Sequence, residues 1–323
     1  MRNIDYSVVV PVYNSEKTIE ELFLRIRSVF LDLQKTFEVI FIEDHGKDNS
    51  WDVLTRLKEE YPGHITAIKL RRNYGQHTAT LCGMNYSGGG HIITIDDDLQ
   101  TPPEEINKLI EKYDQTNAEL IYGTYRVKKH SAFRNIGSTL IQRMLNKRGS
   151  RQYKGSSLGM PDKYGRRLFK GSSFRMLKRS LVNRLISHHQ DFIYIDALIT
   201  WYTDDIEMVE VEHQERKSLK SGYSSAKLAV FSIKIFVYYT IFPLKIMIYG
   251  GMVASMVSLV IGIYYLLRKL FFHVPMGYTS IIVAVLFSSS ILLFSLGIIG
   301  DYLRKIYIEQ KKIPPYLIKK ILR

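Results

Sequence analysis

The sequence predicts an α/β fold, a mostly parallel sheet with helices on both faces, followed by two membrane-spanning helices. Three observations predict it. Short β-branched runs alternate with helical apolar patterns through the first hundred residues, as in parallel sheets. Each run ends in a polar loop, and such sheets bind ligands beyond the carboxyl ends of their strands. Farther on, Ile246–Leu267 and Val274–Gly300 hold no Asp, Glu, Lys or Arg over 22 and 27 residues. Either stretch can cross a hydrocarbon core of roughly 30 Å at about 1.5 Å per residue.

Taken in order, Tyr6–Val12 reads as a strand running into Tyr13-Asn14-Ser15-Glu16, then a helix with Ile19, Leu22, Phe23, Ile26, Val29 and Phe30 on its inner face. Phe37–Ile42 is the second strand, ending in Glu43-Asp44-His45-Gly46, with a helix through Trp51, Leu54 and Leu57. Ile65–Leu70 is the third, followed by Asn73-Tyr74-Gly75-Gln76-His77 and a helix to Tyr86. Gly88-Gly89-Gly90 precedes a strand, so it reads as a flexible turn and not as a phosphate loop; no dinucleotide or P-loop signature occurs.

Ile92–Ile95 is the fourth strand and runs into Asp96-Asp97-Asp98-Leu99-Gln100-Thr101-Pro102-Pro103-Glu104-Glu105. The prolines suit the first positions of a helix. Three adjacent acids repel one another, and a divalent cation would remove the conflict. Asp96 and Asp98, two apart on a strand, point the same way. With Gln100 they make an oxygen set suited to Mg²⁺ or Mn²⁺, leaving sites for water and a diphosphate. The alternative is a solvated acidic turn.

Charge is unevenly placed in a chain of net +14. Residues 1–124 carry 13 basic and 20 acidic side chains, whereas 125–184 carry 17 basic and one acidic. A basic block can serve nucleic acid, but this one shares a chain with apolar spans, so a membrane is the expected partner and nucleic acid is not. The lone Cys82 excludes an internal disulfide and a thiolate metal site. Met1–Asn14 lacks a long apolar core and is not expected to be a signal peptide. Lysines and arginines precede the first span and follow the second, so both termini are expected in the cytoplasm with a hairpin between. Ser224–Tyr239 and Ile306–Leu322 are candidates for interfacial helices. The expected divisions are 1–212 as the α/β domain, 213–240 as a juxtamembrane segment, 241–303 as the spans (about 246–267 and 278–300), and 304–323 as a basic tail.

The strings Val10-Pro11-Val12-Tyr13-Asn14-Ser15-Glu16, Asn73–His77, Asp96–Glu105, His213–Leu228 and Gly300-Asp301-Tyr302-Leu303 resemble the GT-A fold, family-2 glycosyltransferases. The similar branch is the membrane-anchored one acting on polyprenyl phosphates: dolichol-phosphate mannose synthase and the undecaprenyl-phosphate glucosyl- and aminoarabinose transferases. Asn-Tyr-Gly-Gln-His and Tyr194-Ile195-Asp196 look most like the aminoarabinose enzyme. The resemblance implies a metal-dependent enzyme of the cytoplasmic (inner) membrane, with its catalytic domain in the cytoplasm. It would transfer a glycosyl unit, with inversion, from a nucleoside-diphosphate sugar, UDP-linked, to undecaprenyl phosphate for cell-envelope or lipopolysaccharide chemistry. Relatives suggest a homotetramer.

Residue by residue, the resemblance implies that Pro11, Tyr13, Glu16, Asp44, Gln76, Asp96 and Asp97 line the nucleotide sugar. Asp96, Asp98 and Gln100 would hold the metal. Arg126, Arg134 and Ser138 would grip the acceptor phosphate and, with Asp98, form the catalytic set. Arg216, Ser221 and Tyr223 would close over the site. Two departures stand out. Ser172-Ser173-Phe174-Arg175 replaces the usual Gly-Asp-Phe-Arg, removing a carboxylate suggested as a base, and Leu219 stands where a Gly usually follows the Arg of the closing segment. The chemistry tolerates a missing base, because a lipid phosphate with a second pKa of about 6 is largely dianionic near neutrality. Among His77, His188, His189 and His213 no metal-ligand spacing with acids occurs, and they read as structural or polar lining. Two rivals stay open. A processive polysaccharide synthase would show Gln-x-x-Arg-Trp, but neither Trp51 nor Trp201 follows an Arg. A non-catalytic membrane protein that binds a nucleotide sugar would form no product.

Overall fold

A computed structural model describes residues 4–125, 172–187, 193–214, 278–310 and 314–323, with isolated positions between 249 and 271. The chain forms two compact units, Met1–Ser232 with Pro314–Arg323, and Ile233–Ile313. In the first, eight strands make one sheet: β1 (Tyr6–Val12), β2 (Phe37–Glu43), β3 (Ile65–Leu70), β4 (His91–Thr94), β5 (Leu120–Tyr125), β6 (Arg175–Lys178), β7 (Ile206–Val211) and β8 (Ile318–Leu322). Their order is β7-β5-β6-β4-β1-β2-β3-β8. β4, β1, β2 and β3 are parallel neighbours, β5 pairs parallel with β7, and β6 and β8 run antiparallel to their partners. The expected mostly parallel α/β sheet is the observed one.

β1 is buried at all seven positions because β2 and β4 flank it and helices cover both faces. Helix α1 (Ile19–Asp32) buries the six predicted residues, and Phe30 stacks on Phe37 at 5.0 Å between centroids. Helix α2 (Ser50–Glu60) buries Leu54 and Leu57. Helix α3 (Gln76–Tyr86) lies so close to the sheet that a Cβ on Gly83 would come within 2.4 Å of both Val9 Cγ1 and Ile42 Cδ1. A 3₁₀ turn (Pro103–Glu105) leads into α4 (Ile106–Thr116), and α5 (Arg179–Ile186) and α6 (Ile195–Tyr202) are the further helices among the described residues of this unit.

Two expectations need correction. The Gly88–Gly90 stretch is a packed turn: Gly89 N–H donates to Ser7 Oγ at 2.8 Å, and Arg179 donates through Nε and Nη2 to the Gly89 carbonyl. A Cβ there would sit 2.7 Å from the Ser7 backbone nitrogen, so glycine is needed for close approach. The end of the chain is not only a basic tail or an interfacial helix, because β8 pairs antiparallel with β3. Leu322 packs on the core, the Arg71 N–H donates to the Leu317 carbonyl, and Asn85 Nδ2 donates to the Tyr316 hydroxyl at 3.1 Å. Exposed Lys319 and Lys320 hid this edge strand, a common device for keeping edges from pairing further.

In the second unit α7 (Tyr278–Gln310) runs unbroken for 33 residues, about 50 Å at 1.5 Å per residue. Among the described residues no helix is long and apolar enough to cross a membrane. The expected first span falls mostly outside those residues, so the hairpin rests on the sequence.

Candidate functional site

The loops after β1, β2, β3 and β4 meet at the carboxyl edge of the sheet and are stitched to one another by side chains. After β1 the chain turns through Asn14, whose φ of +56° the following loop exploits. Asn14 Oδ1 accepts from the Lys47 N–H at 2.7 Å, and Ser50 Oγ from the Ser15 N–H at 3.0 Å. Glu16 and Asp48 exchange bonds across the two loops: Asp48 Oδ2 accepts from the Glu16 N–H at 2.9 Å, and Glu16 Oε2 from the Asn49 N–H at 3.0 Å. Tyr13 stays half exposed on the rim.

Asp44, buried at the end of β2, accepts from the backbone N–H groups of Tyr74 (2.7 Å) and Gly75 (2.8 Å). Burial pushes its carboxyl up to about 6, the two backbone bonds acting in the opposite direction. The grip fixes the start of α3, where Gly75 takes a φ of +88° that a side chain would resist. Asp44 is therefore a turn carboxylate in the first instance.

The three acids after β4 turn three ways, because the strand stops at Thr94 and strand alternation does not apply. Asp96 accepts from Gln76 Nε2 on Oδ1 and from Ser173 Oγ on Oδ2, both at 2.6 Å. Asp97 turns inward: its Oδ2 accepts from the Tyr13 N–H (2.9 Å) and Ser15 Oγ (2.5 Å), and burial raises its pKa to about 7. Asp98 caps the turn by accepting from the Gln100 N–H at 3.1 Å, across Leu99, a buried residue at φ +59°. The Thr101 hydroxyl meets Tyr125 OH at 2.8 Å, and the phenol is kept from ionising first by burial and further by the charges of Asp96 and Asp98.

The donor set fits a hard divalent ion in one form only. Among the described residues no three His, Cys, Asp or Glu side chains gather as a metal cage. Two carboxylates, Asp96 and Asp98, leave the remaining positions to water and a diphosphate, which is how Mg²⁺ sites at phosphates are built. The Gln100 carbonyl accepts from the Gln214 N–H at 2.7 Å, and His213 packs on Tyr125 with centroids 4.3 Å apart. This brings the chain just before the expected closing segment to the acidic turn. Arg216, Ser221 and Tyr223 of that segment, and Arg126, Arg134 and Ser138, lie outside the described residues.

Beside Asp96 lies a cavity of about 110 Å³ reached by Pro11, Gln76 and Ser173. Its inner wall was not legible as a site in the sequence. Arg175, 2% exposed on β6, pairs with Asp196 of α6 at 2.5 Å and donates from Nε to Thr94 Oγ1 at 3.3 Å. Tyr122 OH donates to the same Asp196 Oδ1 at 2.8 Å. His77 lines the cavity with its ring edge-on to Tyr194 at 4.9 Å. Burial lowers its pKa to about 4, so the imidazole is neutral polar lining, as read from its spacing. Both residues stood in strings compared with the family, Ser172–Arg175 and Tyr194–Asp196, and each is a lone charge in an apolar run, but nothing in the sequence joined them.

A parallel-centred sheet with an acidic turn and a polar cavity at its carboxyl edge is a fold of the GT-A kind. Residues 7–186 match the family described as Glycosyl transferase family 2. The chain belongs to that family. It is 30% identical over 321 residues to undecaprenyl-phosphate 4-deoxy-4-formamido-L-arabinose transferase of Klebsiella pneumoniae, covering 98% of this chain and 93% of that one. It is equally similar, 30% over 319 residues, to an uncharacterised glycosyltransferase of Synechocystis, covering 98% and 95%. In structure it resembles glucosyl-3-phosphoglycerate synthase of Mycobacterium tuberculosis, solved with Mn²⁺, UDP-glucose and phosphoglyceric acid. That match has a TM-score of 0.50 at 16% identity, over 72% of this chain and 78% of that one.

Proposed function

We propose that this glycosyltransferase moves a glycosyl unit from a UDP-linked sugar to undecaprenyl phosphate at the cytoplasmic face of the inner membrane, inverting the anomeric carbon. The observation carrying the acceptor is the similarity, over 98% of the chain, to transferases named for undecaprenyl phosphate. The two long uncharged stretches, Ile246–Leu267 and Val274–Gly300, support a membrane hairpin that presents the α/β unit to a lipid acceptor.

Asp96 and Asp98 would hold Mg²⁺ or Mn²⁺, with Gln100 as a third oxygen donor. The ion supplies charge neutralisation for the departing diphosphate. The chain's own groups do the positioning. Gln76 and Ser173 fix the Asp96 carboxylate through one oxygen each, so it does not swing when substrate enters. Asp97 holds the Tyr13–Ser15 loop against the turn, setting Pro11 and Tyr13 beside the nucleotide, with Glu16 and Asp44 bracing the neighbouring loops. Ser173 carries no carboxylate, and neutral His77, with a pKa near 4, is a weak base. Direct attack by a phosphate already dianionic needs neither. Arg126, Arg134 and Ser138 would hold that phosphate by charge-assisted bonds, and Arg216, Ser221 and Tyr223 would exclude water.

The test is product analysis with purified protein, undecaprenyl phosphate and a panel of UDP-sugars. A lipid-extractable monoglycosyl phosphate is expected. A polymer would assign the chain to processive synthesis, and UDP-sugar binding without any product would make it a sensor.

A further inference from the structure

The acidic turn has two limbs, and each is anchored to a different part of its unit. β4 ends at Thr94, and the chain beyond it is held by contacts from other elements. At its centre Leu99, buried, takes a φ of +59°, a conformation that costs a residue with a side chain about 1–2 kcal/mol. Backbone of this kind persists where its surroundings over-determine it. The limb before Leu99 is tied to the loop after β1. The Asp97 carboxylate accepts from the Tyr13 N–H and Ser15 Oγ, and its carbonyl from Thr18 Oγ1 at 2.5 Å. The limb after Leu99 is tied to the opposite side. The Gln100 carbonyl accepts from the Gln214 N–H, and Thr101, 5% exposed, meets the Tyr125 hydroxyl at 2.8 Å. Asp98 stands between the two anchors. Tyr125 is the last residue of β5, in register with Val211 of β7, and its ring lies on His213 with centroids 4.3 Å apart. A phenylalanine would keep that pairing and that ring contact. What it would lose is the hydroxyl, the atom that meets the turn. A buried hydroxyl such as that of Thr101 is costly to leave unmet, so this bond carries the restraint of a regular strand into an irregular loop.

We propose that Tyr125 is a positioning residue for the divalent ion: through Thr101 it fixes the limb after Leu99, and so sets Asp98 where it and Asp96 can hold one cation together. The inference rests on the metal reading of Asp96 and Asp98 given above. Without the Tyr125–Thr101 bond the turn divides its time among conformations, and an ion binds less tightly in proportion to the time spent in the competent one.

The test uses full-length protein with saturating UDP and reads Mn²⁺ affinity from the loss of the free-ion electron paramagnetic resonance signal, with melting in EDTA as the check on folding. Tyr125→Phe is expected to raise the Kd for Mn²⁺ at least about fivefold, and Thr101→Val to do the same. The double variant is expected to stay within about twofold of either single one, because the two hydroxyls make one bond. Thr101→Ser keeps the hydroxyl and is expected to bind Mn²⁺ within about twofold of wild type. A role confined to stability would lower the melting temperature and leave the Kd of the folded protein where it was. Should Tyr125→Phe fail to fold, the comparison of Thr101→Val with Thr101→Ser decides by itself. An unchanged Kd in folded Tyr125→Phe, equal Kd values for Thr101→Val and Thr101→Ser, or losses that multiply in the double variant overturn the assignment of Tyr125 alone. Wild type that takes up no Mn²⁺ in the presence of UDP overturns the metal reading, and the role of Tyr125 with it.

Discussion

Replacing Asp97 with Asn should stabilise the ligand-free protein, and by more as pH rises. Asp97 Oδ2 accepts two bonds, from the Tyr13 N–H and Ser15 Oγ, and an Asn Oδ1 can accept the same two. What the substitution removes is an ionisable group that burial, the main cause, and the charges of Asp96 and Asp98 lift from 3.8 to about 7. A carboxyl whose pKa is raised on folding holds its proton in the native state after the unfolded chain has released it. Its contribution is most favourable below the unfolded pKa and is lost as pH climbs from about 4 to about 7. Each pH interval within that window is worth about 1.4 kcal/mol. Asn escapes the loss, so its advantage is expected to be on the order of 2 kcal/mol at pH 5 and to grow to roughly twice that at pH 8. Denaturation of wild type and Asp97→Asn in EDTA, without nucleotide, at pH 5, 6.5 and 8 reads the difference, and other titrating groups cancel between the two proteins. A variant less stable than wild type at pH 8, or a gap that does not widen with pH, would refute the reasoning.

Other expectations concern the scaffold and the reaction. Gly89→Ala puts a Cβ 2.7 Å from backbone atoms of Tyr6 and Ser7, which cannot yield as a side-chain tip can; a loss of about 2 kcal/mol is expected in the same denaturation assay. Deleting residues 314–323 strips β8 from β3 and bares a strand edge, so a lower melting temperature and concentration-dependent aggregation by light scattering are expected. Asp98→Ala should abolish transfer in membranes while leaving expression intact, and near-normal turnover would remove its proposed metal role. Arg134→Ala should raise the KM for the lipid acceptor more than that for the nucleotide sugar, and equal losses would count against its assignment to the acceptor.

How far the sequence discloses this molecule depends on where its strands lie. β1 to β4 and helices α1 to α3 were legible because a central parallel strand is buried on both faces and must be uniformly apolar. β6 was not, since its four residues include Arg175 and Lys178. β7, at an edge, mixes Glu207 and the exposed Glu210 with Ile206, Met208 and two valines, and β8 is written as Ile-Lys-Lys-Ile-Leu. Such strands are recruited by neighbours and carry little local signal. The site divides likewise. Asp96 and Gln76 were readable from a motif, and they meet at 2.6 Å. The Arg175–Asp196 pair was not, because no spacing within one strand or helix joins its partners and the strings that hold them, Ser172–Arg175 and Tyr194–Asp196, carry no sign of pairing.

The acidic turn shows why repulsion between like charges is a weaker guide than it looks. In sequence, three consecutive aspartates demand a counter-ion. In the fold, Leu99 at positive φ and the early end of β4 send the three side chains apart. Asp96 is satisfied by an amide and a hydroxyl, Asp97 by a backbone N–H and a hydroxyl, and Asp98 by the turn it caps. Burial raises the Asp97 pKa to about 7, which lessens the charge the turn carries near neutrality. The conflict is therefore largely resolved by hydrogen bonding, and a metal is not needed to make the turn foldable. The case for a cation rests instead on what remains: two hard carboxylates, Asp96 and Asp98, two residues apart on one turn, and the diphosphate that would leave in the proposed reaction. A site built this way gains its ion with the substrate, so metal affinity should be weak alone and strong in the presence of UDP, a coupling that each ligand must show towards the other.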